Sequence, residues 1–238
     1  MKLHLRSLFL VAAMLCMPAI SFAQVSVSIT LAPPVLPVYA QPICPGDGYL
    51  WTPGYWAYGP YGYYWVPGTW VLAPIVGYLW TPGYWGWGGG YYAWHAGYWG
   101  PHVGFYGGVN YGYGYGGSGY AGGRWHNGVF NYNRSVNNIN VTNIHNVYNE
   151  PVARNTGGSR VSFNGGNGGT RAQPTARDLA AVHDRHIAAT GMQVQHQQAA
   201  RADRSLRASV NHGHPAIAAT PRPGAFNDRG AVRAKGAP

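Results

Sequence analysis

The sequence predicts a mainly β protein, in which short antiparallel aromatic hairpin repeats form a small meander or barrel-like module. A largely disordered, partly helical basic C-terminal region follows. Three observations predict this. An aromatic pattern recurs four times between residues 49 and 100, each copy contains Pro-Gly or Ala-Gly, and charge is confined almost wholly to the second half of the chain.

Residues 1–23 read as a secretory signal peptide. Lys2 and Arg6 form a positive n-region, Leu8 to Met17 an apolar h-region, and Ser21-Phe22-Ala23 a small-residue cleavage site before Gln24. The apolar run is shorter than the roughly 20 residues that a spanning helix needs. Cys16 follows Leu15, where a lipobox wants a small residue, so lipidation is not expected. The chain is expected to be exported, to the periplasm, the outer-membrane periphery or the medium. Cleavage leaves Cys44 as the only thiol, which forbids an intramolecular disulfide. An inert thiol is favoured over an intermolecular disulfide, because no partner for it is visible, and a catalytic role is not expected, because no base lies near it in sequence.

Residues 24–48 begin with an alternation of Val25, Val27 and Ile29 against Ser26, Ser28 and Thr30, a short strand signal. They continue into PPVLPVYAQP, whose prolines favour extended conformation.

Residues 49–100 hold the repeats. Aligned on Trp they are YLWTPGYW from Tyr49, YYWVPGTW from Tyr63, YLWTPGYW from Tyr78 and YAWHAGYW from Tyr92. Trp51, Trp65, Trp80 and Trp94 are 14, 15 and 14 residues apart, so the identical pair marks a two-repeat unit of 29 residues. The pattern Tyr-x-Trp-x-x-Gly-x-Trp resembles that of the bacterial YXWGXW repeat family, also written WXXGXW. That resemblance is expected to reach GPHVGFYGGVNYGYGYGG and NRSVNNINVTNIHNVYN. It implies an exported bacterial protein and brings no reaction with it. The fourth copy departs from the others, with Ala96 where they have proline, which puts an identical turn there in doubt.

Two tryptophans five residues apart are not helical neighbours, and Pro-Gly between them excludes helix interior. The pattern therefore predicts hairpins, with turns at Gly54, Gly68, Gly83 and Gly97. Reflection about each turn places Trp51 opposite Trp56, Trp65 opposite Trp70, Trp80 opposite Trp85, and Trp94 opposite Trp99. Tyr49 then faces Tyr58, and Tyr78 faces Trp87. One feature opposes that register: L-Pro-Gly prefers a type II turn, whose twist does not suit a tight hairpin.

The segment 49–100 carries 9 Trp and 11 Tyr. Ordering a chain costs about 1.5 kcal/mol per residue, so most of these rings must be buried for the segment to fold. The eight repeat tryptophans, with Tyr49, Tyr63, Tyr78 and Tyr92, are thus read first as repeat core. They are read second as platforms for sugar stacking, since flat aromatic faces suit the apolar faces of pyranose rings.

Residues 101–123 are Gly- and Tyr-rich and read as flexible. Residues 124–170 are Asn- and Gly-rich, with enough Val and Ile for one or two strands. Residues 171–238 form the basic Ala/Arg/Gln/His-rich tail, with helices expected over 176–188, capped by Thr175, and over 192–209. From residue 24 to 123 there is no Lys or Arg and one acid, Asp47, whereas residues 124–238 hold 14 basic and 5 acidic residues, a net of +9.

Catalysis finds little support. Six acids in 238 residues leave few groups for acid–base work, and no serine-nucleophile motif is present. No cofactor is expected, because the Gly-rich runs lack the GK[ST] ending of a phosphate loop. No metal site is expected either, since nothing completes a ligand set around His183, His186, His212 or His214. The sequence thus predicts an exported, non-enzymatic cell-envelope protein, structural or glycan/peptidoglycan-binding. An outer-membrane-associated β protein is the alternative. Pro-Gly, however, interrupts the strands after four or five residues, and a membrane barrel needs about 9–11. The expected partner is cell-wall or surface polysaccharide. The basic tail is expected to make peripheral contact with an anionic envelope surface, and no nucleic acid partner is expected.

Overall fold

The repeats fold as two bent ribbons, each a single hairpin made from two repeats, in a computed structural model that describes residues 29–152 and 160–237. The signal peptide and the start of the strand signal at Val25 and Val27 lie outside the described residues. In the first ribbon, β1 (Tyr49–Thr52) and β2 (Tyr55–Gly59) run out, and β3 (Gly62–Val66) and β4 (Gly68–Leu72) return. The second ribbon repeats this with β5 (Leu79–Thr81), β6 (Tyr84–Gly88), β7 (Tyr91–His95) and β8 (Tyr98–Gly100).

The pairing corrects the register expected from sequence. Trp51 faces Trp70 and Trp56 faces Trp65 in the first ribbon; Trp80 faces Trp99 and Trp85 faces Trp94 in the second. Tyr49 faces Leu72, not Tyr58, and Trp87 faces Tyr92, not Tyr78. The tight turns lie midway between repeats, at Pro60-Tyr61 followed by Gly62 (φ 86°), and at Gly89-Gly90 (φ 62° and 89°). Positive φ suits glycine and gives the twist that joins adjacent strands.

The four motif glycines do not adopt positive φ. They form the corner at which each ribbon bends. Thr52 pairs with Thr69 and Tyr55 with Val66, so Pro53-Gly54 faces Pro67-Gly68 with no slip of register. Proline cannot donate to a ladder, so the hydrogen bonds lapse there while the two strands stay opposed.

Other segments wrap these ribbons. Among the described residues no sheet closes into a barrel, and strands are two to five residues long. The Gly/Tyr-rich stretch forms a small hairpin, β9 (Asn110–Gly112) with β10 (Tyr115–Gly116). A second hairpin, β11 (Gly123–His126) with β12 (Val129–Asn133), turns at Asn127-Gly128, with φ 50° and 78°. β13 (Val147–Tyr148) joins β12 in parallel, and β14 (Phe163–Asn164) joins β6 in parallel.

The tail is less disordered than its composition implies. Its helices are shorter than expected: α1 (Ala176–Ala181), α2 (Gly191–Ala202) and α3 (Ala208–Asn211), with a 3-10 turn at Arg204–Leu206. Thr175 and Thr190 each make a capping box, with Asp178 and Gln193 respectively. Asp203 interrupts the second expected helix by leaving helical backbone and capping the 3-10 turn. The chain then adds β15 (Ala219–Thr220) in parallel to β4. Ala200, Leu206, Ala218 and Ala219 are buried there, so the tail covers the first ribbon with small apolar residues rather than with its charges.

Candidate functional site

The aromatic ribbons are the candidate site, and their rings divide into a paired interior and a spare exterior. The four cross-strand tryptophan pairs have nearly the same geometry. Ring centroids are 5.3 Å apart for Trp51–Trp70, 5.2 Å for Trp56–Trp65, 5.3 Å for Trp80–Trp99 and 5.2 Å for Trp85–Trp94, with interplanar angles of 56–66°. Such tilted contacts set the positive edge of one ring toward the negative face of the other.

The motif glycines explain themselves against these rings. A Cβ on Gly68 would lie 2.5 Å from Cζ2 of Trp51, and one on Gly97 would lie 2.5 Å from Cζ2 of Trp80. Gly54 would collide in the same way with Trp65, and Gly83 with Trp94. The first Trp of each repeat therefore lies on the glycine of the facing repeat. The fourth copy makes the same contacts despite Ala96, so proline is dispensable at the corner and glycine is not.

Burial supports the core role. Trp51, Trp56, Trp65, Trp70, Trp80, Trp85 and Trp99 are buried, as are Tyr63 and Tyr92, while Trp94, Tyr49 and Tyr78 are half-buried. The indole N–H groups find acceptors in segments that flank the repeats. Trp56 donates to the Val35 carbonyl (3.1 Å), Trp70 to Pro42 (2.9 Å), Trp65 to Ala218 (2.9 Å) and Trp99 to Oε1 of Gln193 (2.8 Å). The Pro-rich segment thus supplies carbonyls to the ribbon. Trp85 donates to the carbonyl of Trp56, its equivalent 29 residues earlier, and so ties the second ribbon to the first (2.7 Å). The Nε1–H of Trp51 is buried with no acceptor among the described residues.

Four aromatic rings outside the sequence-predicted set are exposed: Tyr58, Tyr61, Trp87 and Tyr91. All lie at the ribbon tips. Tyr58 and Trp87 occupy equivalent positions 29 residues apart, and each leans on the tyrosine opposite: Tyr58 on Tyr63 at 4.9 Å, and Trp87 on Tyr92 at 4.6 Å. Burial raises the phenol pKa of Tyr63 and Tyr92, so both remain neutral supports. Trp87 falls outside the Tyr-x-Trp pattern. The period of 29, applied to Tyr58, would have found it.

A cavity of about 100 Å³ lies between the two corners, lined by Pro53, Pro67, Pro82, Trp80, Trp94 and His196 among others. It is smaller than the ~300–1,000 Å³ usual for ligand pockets, so a sugar ring does not enter it. His196 is fully engaged. Gly224 N–H donates to Nδ1 (2.9 Å), which leaves Nε2–H to donate to the Pro67 carbonyl (2.8 Å). Burial pushes its pKa down to about 4 despite the Pro67 bond, so it is a neutral structural histidine.

Cys44 is buried, and burial pushes its thiol up to about 11, against the weak opposing pull of its hydrogen bond to Gly46 (3.2 Å). Such a thiol is not nucleophilic near neutrality. The histidines expected to be helical neighbours are not, because α1 ends at Ala181, before both His183 and His186. His186 stacks on Tyr98 at 3.8 Å, and His214 bonds the Lys235 carbonyl through Nδ1 (2.8 Å). Among the described residues no three His, Cys, Asp or Glu converge as a metal site, and no helix is long and apolar enough to cross a membrane.

A family model described as the WXXGXW repeat matches twice, over residues 46–71 and 76–99. Each copy of that model covers one ribbon and thus two of the repeats aligned on Trp. Comparison with curated proteins and with solved structures finds no match in either.

Proposed function

We propose that this WXXGXW repeat protein is an exported, non-enzymatic component of the cell envelope, whose ribbon tips bind glycan, peptidoglycan in the first instance. The observation that carries the reading is the division of the rings. Seven of the eight repeat tryptophans are buried and occupied with one another, whereas Tyr58 and Trp87 stand 39% and 37% exposed at equivalent tip positions, each braced from behind by a buried tyrosine. A braced, exposed ring can stack on a sugar with little loss of side-chain freedom on binding. Two such rings on one rigid body suit an extended polymer, because the second contact is made at high effective concentration. The corners and the paired rings serve as scaffold.

Export rests on the signal sequence, and the non-enzymatic role on the scarcity of acid–base groups. Mass spectrometry of the protein recovered from its host tests the first: a mature chain starting at Gln24 is expected. Co-sedimentation with purified, protein-free peptidoglycan tests the second half of the proposal. The protein is expected to pellet with the polymer, and Trp87→Ala is expected to reduce pelleting severalfold while leaving the fold intact. Failure of the wild-type chain to pellet, with no change in its Trp fluorescence, would sink the glycan reading.

A further inference from the structure

We infer that the first ribbon tip carries a site for an anionic sugar, a saccharide bearing a carboxylate or phosphate, held by Arg201 and Arg207 beside Tyr61. This deepens the glycan reading and rests on it. The tip loop Pro60-Tyr61 faces the end of α2 and the residue that caps α3. Between them lies an open cleft of about 300 Å³ lined by Pro60, Tyr61, Gln198, Arg201, Ala202 and Arg207. Its volume suits a monosaccharide unit, unlike the smaller cavity at the corners.

Both guanidinium groups are uncompensated among the described residues. Neither Arg201 nor Arg207 makes a salt bridge or a side-chain hydrogen bond among the described residues, and the nearest acid in sequence, Asp203, is turned to Ser205, to its N (2.8 Å) and its Oγ (2.7 Å). Nε of Arg207 is buried with no acceptor. The position of Arg207 is fixed from two sides. Its backbone bridges to Tyr64 of β3, and its guanidinium lies over the Tyr61 ring, 3.9 Å from the centroid. A guanidinium held by an aromatic ring rather than by a carboxylate leaves its terminal Nη N–H donors to grip two oxygens of a carboxylate or phosphate at once.

Tyr61 is 68% exposed, so much of its ring beyond the part that Arg207 covers is open to a sugar. The cleft therefore joins an aromatic platform to a fixed anion grip. The equivalent positions on the second ribbon are Gly89-Gly90, which offer no side chain to match Tyr61, so the charged subsite is assigned to one tip.

Calorimetric titration of the full mature chain tests this with four probes: N-acetylmuramic acid, glucose 6-phosphate, N-acetylglucosamine and inorganic phosphate. Both acidic sugars are expected to bind at least about tenfold tighter than the neutral sugar and than phosphate alone. Arg201→Gln, on an exposed side chain, is expected to remove most of the margin over the neutral sugar, and Tyr61→Ala most of the margin over phosphate. Near-UV circular dichroism of each variant confirms folding. Rising salt is expected to weaken the acidic sugars and phosphate but not N-acetylglucosamine. Equal binding of neutral and acidic sugars overturns the anion grip, and equal binding of phosphate and glucose 6-phosphate overturns the ring contact. Trp87-dependent pelleting with peptidoglycan, unchanged in Arg201→Gln together with Tyr61→Ala, would refute the charged subsite while leaving the glycan reading in place; failure of the wild-type chain to pellet and to bind any of the sugars would refute both.

Discussion

The two ribbons share a register, a bend and an eight-residue sequence, yet they are buried differently. In the first, Trp51, Trp56, Trp65 and Trp70 are at most 1% exposed; in the second, Trp80 is 8% and Trp85 4% exposed, and Trp94 is half-buried. The difference lies in their wrapping. The first ribbon receives β15 along β4, α2 and α3 against β3, and the Pro-rich segment on its indoles. The second receives β14, the Ile29 bridge and the Ile187 bridge. Identical repeats thus specify identical local geometry, and the non-repeated flanks decide how deep each copy lies.

Substitution of equivalent rings should break the symmetry most. Trp65→Ala removes a buried ring whose indole bonds Ala218, and should cost about 4 kcal/mol; Trp94→Ala removes its half-buried equivalent and should cost about 2. Urea unfolding of the two variants checks this, and equal losses would mean that wrapping does not matter. At the corner the ribbons should agree. Gly54→Ala and Gly83→Ala each push a Cβ into a tryptophan and into facing backbone, and each should cost about 3 kcal/mol, against about 0.5 or less for Gly88→Ala, where nothing lies within 4 Å.

Acid should loosen the first ribbon's cover. An unfolded His196 takes up its proton near its ordinary pKa of 6.5, whereas the folded one resists until about 4. The unfolded chain therefore binds more protons across that window, and stability falls as pH drops through it. The loss reaches about 3 kcal/mol at the acid end. Hydrogen exchange at α2 and β15, measured at pH 7 and pH 4.5, should show this, and His196→Gln should flatten it. The smallest expected effect separates two indoles of one pair. Trp70→Phe breaks the bond to Pro42 and should cost about 2 kcal/mol, while Trp51→Phe also removes a donor that has no acceptor and should cost about 1.

The β class, the aromatic alternation and the two-repeat period are legible in the sequence. The partner of each strand is not legible in the same way. Pro-Gly is a turn signal, and two strands flanking it invite pairing across it, but here that dipeptide makes a corner shared by two repeats. The objection that L-Pro-Gly suits tight hairpins poorly carried the answer, and Gly62 and Gly89-Gly90 were the better turns. Asn127-Gly128 is likewise a plain hairpin signal hidden by its Asn-rich surroundings. The wrapping of the tail was not legible, because Ala200, Ala218 and Ala219 bury little apolar surface each and act by fitting against rings that the sequence places elsewhere. Of the candidate site, the motif marks the buried rings, and the exposed tip rings Tyr58, Tyr61, Trp87 and Tyr91 lie outside it.

The pairing of the tryptophans bears most directly on all of this, and a NOESY spectrum of the mature protein with assigned indoles measures it without substitution. Cross-peaks are expected between Trp51 and Trp70, Trp56 and Trp65, Trp80 and Trp99, and Trp85 and Trp94, whose ring centroids lie 5.2–5.3 Å apart. Cross-peaks joining Trp51 to Trp56 and Trp65 to Trp70 in their place would contradict the two-repeat ribbon and return the fold to four separate hairpins.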